Sequence, residues 1–220
     1  MTSRIFFTDE RRRIEQRVKD LLNTNSDFLS ESTASSPRAV GDAIQDIVAD
    51  RFEEILGSTC AEYSASFARR AMADLAFKDT EGLYYVVDVK THRTNTQFNM
   101  PNLTSVERLT RFYEDDANYF AILMVNYEVQ ATTVVVSEVM FVPIEFLGWD
   151  CLTIGALGWG QIQIANSNRV SVLADNSRKQ WMIDLCDIML EFYPREISKI
   201  GERIKRFEAI RAAWLAKPNV

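Results

Sequence analysis

Asp74, Asp88 and Lys90 are the residues whose types and spacing could do chemistry, in the stretch DLAFKDTEGLYYVVDVKTHR, residues 74–93. Side chains alternate faces along a strand, so Asp88 and Lys90 share one side, about 7 Å apart. The other side carries Leu83, Tyr85, Val87 and Val89, a pattern for burial. The turn DTEG, with Gly82 at its end, folds the two apolar runs into a hairpin and brings Asp74 beside Asp88. Two carboxylates so close repel each other unless a cation lies between them. Hard oxygen ligands suit Mg²⁺, which keeps several waters and needs few protein ligands; Mn²⁺ is able to substitute. The backbone carbonyl of Val89 lies between the acid and the base and is a further ligand. Lys90 adds what cleavage of a phosphodiester needs: it orients the attacking water, lowers that water's pKa together with the metal, and offsets charge developing on the phosphate.

A second reading makes Asp88 and Lys90 an ion pair on a solvated sheet face, since an Asp-x-Lys triplet arises by chance in many chains. Three features favour the metal: an aspartate upstream at hairpin distance, an apolar alternate face, and an acidic helix before the sheet. In that helix, SPRAVGDAIQDIVADRFEEIL, Asp42, Gln45 and Asp46 lie about one turn apart and are candidates to hold the metal's ligands from behind. Asp42 equally suits the first turns of any helix, where acids favour the dipole.

The elements that position these residues follow from periodicity. Residues 8–24 read as a helix capped by Thr8 or Asp9, with Ile14, Val18, Leu21 and Leu22 as its stripe. The Ser-rich link NTNSDFLSESTASSP reads as loop, and Pro37 opens a second helix that Gly57 stops, with Val40, Ile44, Ile47, Val48 and Phe52 at helical spacing. The period then switches to two, with strands expected near 62–68, 71–78 and 83–91. A short helix is expected near 104–114. NYFAILMVNYE and TTVVVSEVMFV follow as two long strands, and GWGQIQIANSNRVSVL as two short strands around an NSN turn. The tail reads as a helix over 177–192, with Trp181, Leu185, Ile188, Met189 and Phe192. A second helix is expected from Pro194, with Ile197, Ile200, Ile204, Phe207 and Trp214 on one stripe. Helices, then strands, then helices predict an α/β (α+β) domain with a central mixed sheet flanked by helices.

The 220 residues, 47% hydrophobic, suffice for one domain with a sizeable core. No apolar leader opens the chain and charged or polar residues break its longest apolar run, so neither a secretory signal nor a membrane span is expected. Cys60, Cys151 and Cys186 are too few and too far apart for a disulfide framework or a zinc site, which fits a reducing cytoplasm. Formal net charge is −6, unfavourable for a nucleic-acid binder unless cations gather in one cleft. Basic groups do cluster, at 11–13, 68–70, 90–93 and 203–211, although each alone suits a solvated face or loop. His92 is the sole histidine, which excludes multi-imidazole metal sites; alone, it reads as a solvated loop residue. No phosphate loop of the GxxxxGK[ST] or GxGxxG kind is present. Trp149, Trp159, Trp181 and Trp214 read as core or interface anchors.

The pattern Asp…Asp-x-Lys, with Ala73-Asp74 where the motif has Pro-Asp and with Asp88-Val89-Lys90, resembles the PD-(D/E)XK nuclease fold that many type II restriction endonucleases share. FNMPNLTSVERL resembles the Pro-Asn loop and helix that follow the catalytic hairpin in such enzymes, and GWGQIQI with NSRKQWMIDLCDIML resembles their late strand and C-terminal helices. The resemblance implies a single restriction-endonuclease-like domain over 1–220, with helices at 8–57, the catalytic sheet at 60–173 and C-terminal helices at 176–216. It implies a Mg²⁺-dependent homodimer that cuts both strands of a short palindromic duplex to 5′-phosphate and 3′-hydroxyl ends, blunt, alongside a cognate DNA methyltransferase. Catalytic roles carry over to Asp74, Asp88 and Lys90. Base reading needs amide and arginine side chains at groove edges. The candidates are Thr91, His92, Arg93, Thr94, Asn95 and Gln97 after the lysine, Asn102, and Gln161, Gln163, Asn166, Asn168 and Arg169 in GQIQIANSNR. An ordinary hydrogen-bonded turn fits the last group as well. The same fold could serve repair or structure-specific cleavage, and the acids could instead decorate a non-catalytic DNA-binding protein.

Overall fold

A computed structural model describes residues 2–64, 73–174 and 176–218. The chain divides into two compact units, Met1–Asp175 and Asn176–Val220. The first begins with helices α1 (Arg4–Phe7), α2 (Glu10–Thr24), α3 (Glu31–Ala34) and α4 (Pro37–Leu56). Helix α4 starts where the sequence says it must. The Ser36 hydroxyl accepts from the Ala39 amide, Pro37 occupies the first turn, and Gly57, at φ 57°, ends it. The link before it is not all loop, since Ser30 caps the short α3.

The central sheet has five strands in the order β1-β2-β3-β5-β6, namely β1 (Cys60–Ser64), β2 (Leu75–Asp79), β3 (Tyr84–Arg93), β5 (Asn118–Gln130) and β6 (Thr133–Pro143). All neighbours are antiparallel except β3 and β5, so the sheet is mixed. Parts of the strands expected at 62–68 and 71–78, and the basic cluster at 68–70, lie outside the described residues. Helix α2 packs on β6 and α4 on β3 and β1. Their apolar stripes, Ile14, Val18 and Leu22 with Val40, Ile44, Val48 and Phe52, are buried. Each such side chain contributes about 1.5–3 kcal/mol. The Tyr85 ring stacks on Phe77 at 4.5 Å and on Tyr119 at 5.3 Å, and its hydroxyl donates to the Asp79 carboxylate. Asp79 also accepts from the Glu81 and Leu83 amides, which closes the β2–β3 turn beside Gly82 at φ 84°.

A second sheet, ordered β4-β8-β7, joins β4 (Asn102–Ser105), β7 (Leu152–Gly155) and β8 (Gln161–Ile164); helix α5 (Val106–Phe112) follows β4 directly. Here the sequence expectation needs correction. β8 pairs antiparallel with β4 on one side and with the upstream β7 on the other, while 165–169 is a turn and Val172 makes only an isolated bridge to Leu147. Hydrophobic alternation alone could not say which of two flanking runs β8 would choose.

The second unit carries one helix, α6 (Arg178–Leu215), capped by Ser177. It runs through Pro194, where the sequence predicts a break. A proline removes one amide donor and crowds the carbonyl four residues back. Leu, Met and Glu before it and Glu, Lys, Arg and Ala after it are good enough formers to carry the helix across that defect.

Candidate active site

The site forms where a hydrogen-bond ladder stops. Strands β2 and β3 pair in register from Lys78↔Tyr84 to Leu75↔Val87, and the Asp74 amide still donates to the Val87 carbonyl. Continuing that register places Asp74 opposite Asp88, as the hairpin predicts. Beyond it, side chains serve the β3 backbone. The Val89 amide donates to Asp74 Oδ2 at 2.8 Å, and the Val89 carbonyl accepts from Gln45 Nε2 at 2.8 Å. Gln45 Nε2 also lies 3.3 Å from Asp74 Oδ2. The Gln45 amide nitrogen, with its partial positive charge, therefore sits where the Asp74 carboxylate and the Val89 carbonyl converge.

Asp88 and Lys90 occupy the opposite face of β3 from Val87 and Val89, as alternation requires. Lys90 Nζ donates to Asp88 Oδ1 at 2.7 Å. The solvated-face reading does not describe this pair, because Asp88 is only 5% exposed and Lys90 is half-buried. Asp88 Oδ2 is buried and has no hydrogen-bond partner. Burial pushes the Asp88 carboxyl up to about 7; the Lys90 ammonium pulls the other way, and the Asp74 charge adds to the rise. An acceptor-only carboxylate oxygen left bare in the interior is costly, and a cation or a proton is what satisfies it.

Val89 and Lys90 border a cleft of about 370 Å³, lined also by Arg38, Gly41, Asp42, Gln45, Thr91, Arg93, Phe98 and Asn99; Asp74 and Asp88 are not among its lining residues. Helix α4 comes close to β3 at Gly41, where an added Cβ would lie 2.6 Å from Thr91 Oγ1. Arg38, Asp42 and Gln45 follow at helical spacing on the face of α4 that borders the cleft.

Of the residues suggested as supports for the ligands, Gln45 touches them, Asp42 lines the cleft, and Asp46 is exposed and not among its lining residues. Among the described residues no three His, Cys, Asp or Glu side chains gather as a metal cluster. A cation at this site would therefore rest on two carboxylates, one backbone carbonyl and water. That all-oxygen donor set, with the bare Asp88 Oδ2, fits a hard divalent ion.

The candidates for base reading divide. Thr91 and Arg93 line the cleft. His92 is 2% exposed on β3, not in a solvated loop, and its Nε2 bonds Asn168 Oδ1 at 2.8 Å. Asn168 also donates to the Thr96 and Gln97 carbonyls, and its amide bonds Asn166 Oδ1. Asn166 and Asn168 thus staple the 165–169 turn to the loop after β3, the structural alternative already open for them. Thr94 bonds Glu128, while Asn95, Gln97 and Arg169 are exposed. Gln161 and Gln163 share one face of β8, with Ile162 and Ile164 buried on the other; Gln163 donates to Asn102 at 2.5 Å. Trp181 is buried as expected, whereas Trp159 and Trp214 are exposed. Sequence reasoning passed over Arg38 and Phe98. For Arg38 a signal existed, since it precedes Asp42 and Gln45 by four and seven residues on one helical face. Compared with known proteins, the sequence matches no family model and no curated relative.

Proposed function

We propose that this chain is a divalent-metal-dependent endonuclease for duplex DNA, of the type II restriction class with a restriction-endonuclease-like fold. One observation carries the reading. The Asp74 carboxylate and the Val89 carbonyl converge on the Gln45 amide nitrogen, and the Lys90-paired, buried Asp88 leaves a carboxylate oxygen unpartnered. The mixed sheet flanked by helices accords with the fold that the motif resemblance implies.

Asp74, Asp88 and the Val89 carbonyl are the groups that would hold Mg²⁺, or Mn²⁺ in its place. When bound, the ion supplies Lewis acidity, which lowers the pKa of a water and offsets phosphate charge. The chain's own residues do the rest. Lys90, held by Asp88 Oδ1, lines the cleft and would stabilise negative charge developing on a phosphate oxygen there. Gln45 holds the Val89 carbonyl and Asp74 in place from α4. Arg38 and Arg93 on the cleft wall offer cationic partners for neighbouring phosphates.

The test is digestion of a sequenced phage genome with and without Mg²⁺. Discrete fragments with 5′-phosphate ends are expected, with Lys90→Ala or Asp88→Ala lowering the cleavage rate by about 100-fold or more. Cleavage only of flaps or nicks would replace the restriction reading with a repair nuclease. Duplex binding without cleavage or metal uptake in titration calorimetry would leave a non-catalytic DNA-binding protein.

A further inference from the structure

The C-terminal helix α6 carries two distinct apolar faces. In its first turns Trp181, Leu185 and Met189 are buried. Beyond Met189 no residue of the helix is buried. A second line, at alternating steps of three and four, starts at Ile183 and continues almost to the end. Written as heptads, Ile183, Leu190, Ile197, Ile204 and Arg211 fall at a, and Cys186, Tyr193, Ile200, Phe207 and Trp214 at d. The large apolar members of this line are exposed, from 39% at Tyr193 to 72% at Leu190. Such a stripe, sustained over more than four heptads, is the seam of a coiled coil and a poor solvent face. Pro194 and Gly201 both fall at e, off the a/d line. Arg195, Lys199, Glu202, Lys205 and Arg206 occupy the outer b, c and f positions.

We propose that this seam pairs with the same helix of a second copy of the chain, as a parallel, in-register, two-stranded coiled coil. The flanking charges select that occupant. In a parallel pair the g residue of one helix meets the e residue five positions on in its partner. Arg203 at g then meets Glu208 at e of the partner copy, twice by symmetry, and Ile210 at g meets Leu215 at e. No g–e′ pair brings like charges together. An antiparallel pair would instead set Asp187 against Glu208, two acids facing each other, which offsets the Arg203–Glu196 attraction that the same register brings, whereas the parallel pair has only the attraction. Three isoleucines at a match the preference of parallel dimers for β-branched residues there, and the single Arg211 at a fixes register at some cost in stability. This seam is independent of the cleft and of any activity there.

Sedimentation equilibrium of the full chain tests the proposal. The wild type is expected at twice the 25.2 kDa monomer mass. Ile197→Glu with Ile204→Glu is expected to weaken the dimer by about 100-fold or more. Both side chains are exposed, so hydrogen-exchange protection of β3, β5 and β6 in the variant should match wild type. Mild oxidation of the unmodified chain should cross-link Cys186 to Cys186 of the partner copy, because the d positions of a parallel pair face each other, and Cys186→Ser should abolish that product. Arg203→Glu should weaken the dimer and Arg203→Glu with Glu208→Arg restore it. A monomer at every concentration would overturn the proposal. So would a dimer indifferent to the two isoleucine substitutions, a dimer with no Cys186 cross-link, or rescue by Glu196→Arg in place of Glu208→Arg.

Discussion

Asp88 carries an unusual load for a carboxylate, because it is buried, paired on one oxygen only, and close enough to feel the charge of Asp74. Its folded pKa of about 7 lies above the ordinary carboxylate value. The folded protein therefore binds the extra proton between the unfolded pKa and about 7, and without metal it loses stability as pH rises through that window. Relative to Asp88→Asn, which keeps the shape but cannot ionise, wild type in EDTA should lose on the order of 2–4 kcal/mol between pH 4 and pH 8. Urea unfolding at several pH values measures the difference, and parallel curves for the two proteins would refute it. Adding Mg²⁺ should return stability to wild type at pH 8 and do little for the variant, which a thermal melt reads directly. The types and spacing of Asp74, Asp88 and Lys90 were legible in the sequence. The hydrogen bonds of Gln45 were not, because a glutamine on a helix says nothing of which strand end it will meet. His92 was misjudged as solvated because the alternation of β3 continues past Lys90, and the 165–169 turn covers it.

The contact between α4 and β3 decides how well the site is assembled. Gly41 lets the helix approach Thr91, and a methyl group there would collide with the hydroxyl oxygen. Gly41→Ala should push α4 outward, lengthen the Gln45 bond to the Val89 carbonyl, and destabilise the fold by about 1–3 kcal/mol. Mg²⁺ affinity by calorimetry should fall with it. Gly41→Ala with Thr91→Ser, which keeps the hydroxyl free to turn away, should recover part of both losses. An unchanged affinity in the single variant would show that α4 does not set the ligand geometry. At this scale α2, α4 and the β5–β6 pair followed from periodicity. The pairing of β8 with β7, and the passage of α6 through Pro194, did not, since both depend on energies of neighbours distant in sequence.

A chain of net charge −6 gains little from bulk attraction to DNA, so any binding must come from a few placed cations. Arg38 and Arg93 border the cleft from α4 and from the end of β3, residues distant in sequence. If both meet phosphates, Arg38→Ala and Arg93→Ala should each reduce the slope of log affinity against log salt by about 0.9. Fluorescence anisotropy with a labelled duplex at several salt concentrations, with EDTA present, measures that slope. A slope unchanged in both variants would place the DNA elsewhere. No helix among the described residues is long and apolar enough to cross a membrane.

By itself the sequence determined what is local: period-two and period-3.6 runs, their caps and turns, the two acids and the lysine at hairpin spacing, and the apolar stripe from Ile197 to Trp214. These depend on residues a few positions apart, so short-range sterics and amphipathicity write them directly into the chain. Tertiary structure alone decided what is non-local. It ended the β2–β3 ladder at Val87, brought Gln45 onto the carbonyl of Val89, buried Asp88 with one oxygen bare, hid His92 under a turn, and left the heptad line in solvent. Each outcome is set by which surfaces bury one another, a sum over many weak contacts that no short stretch of sequence contains.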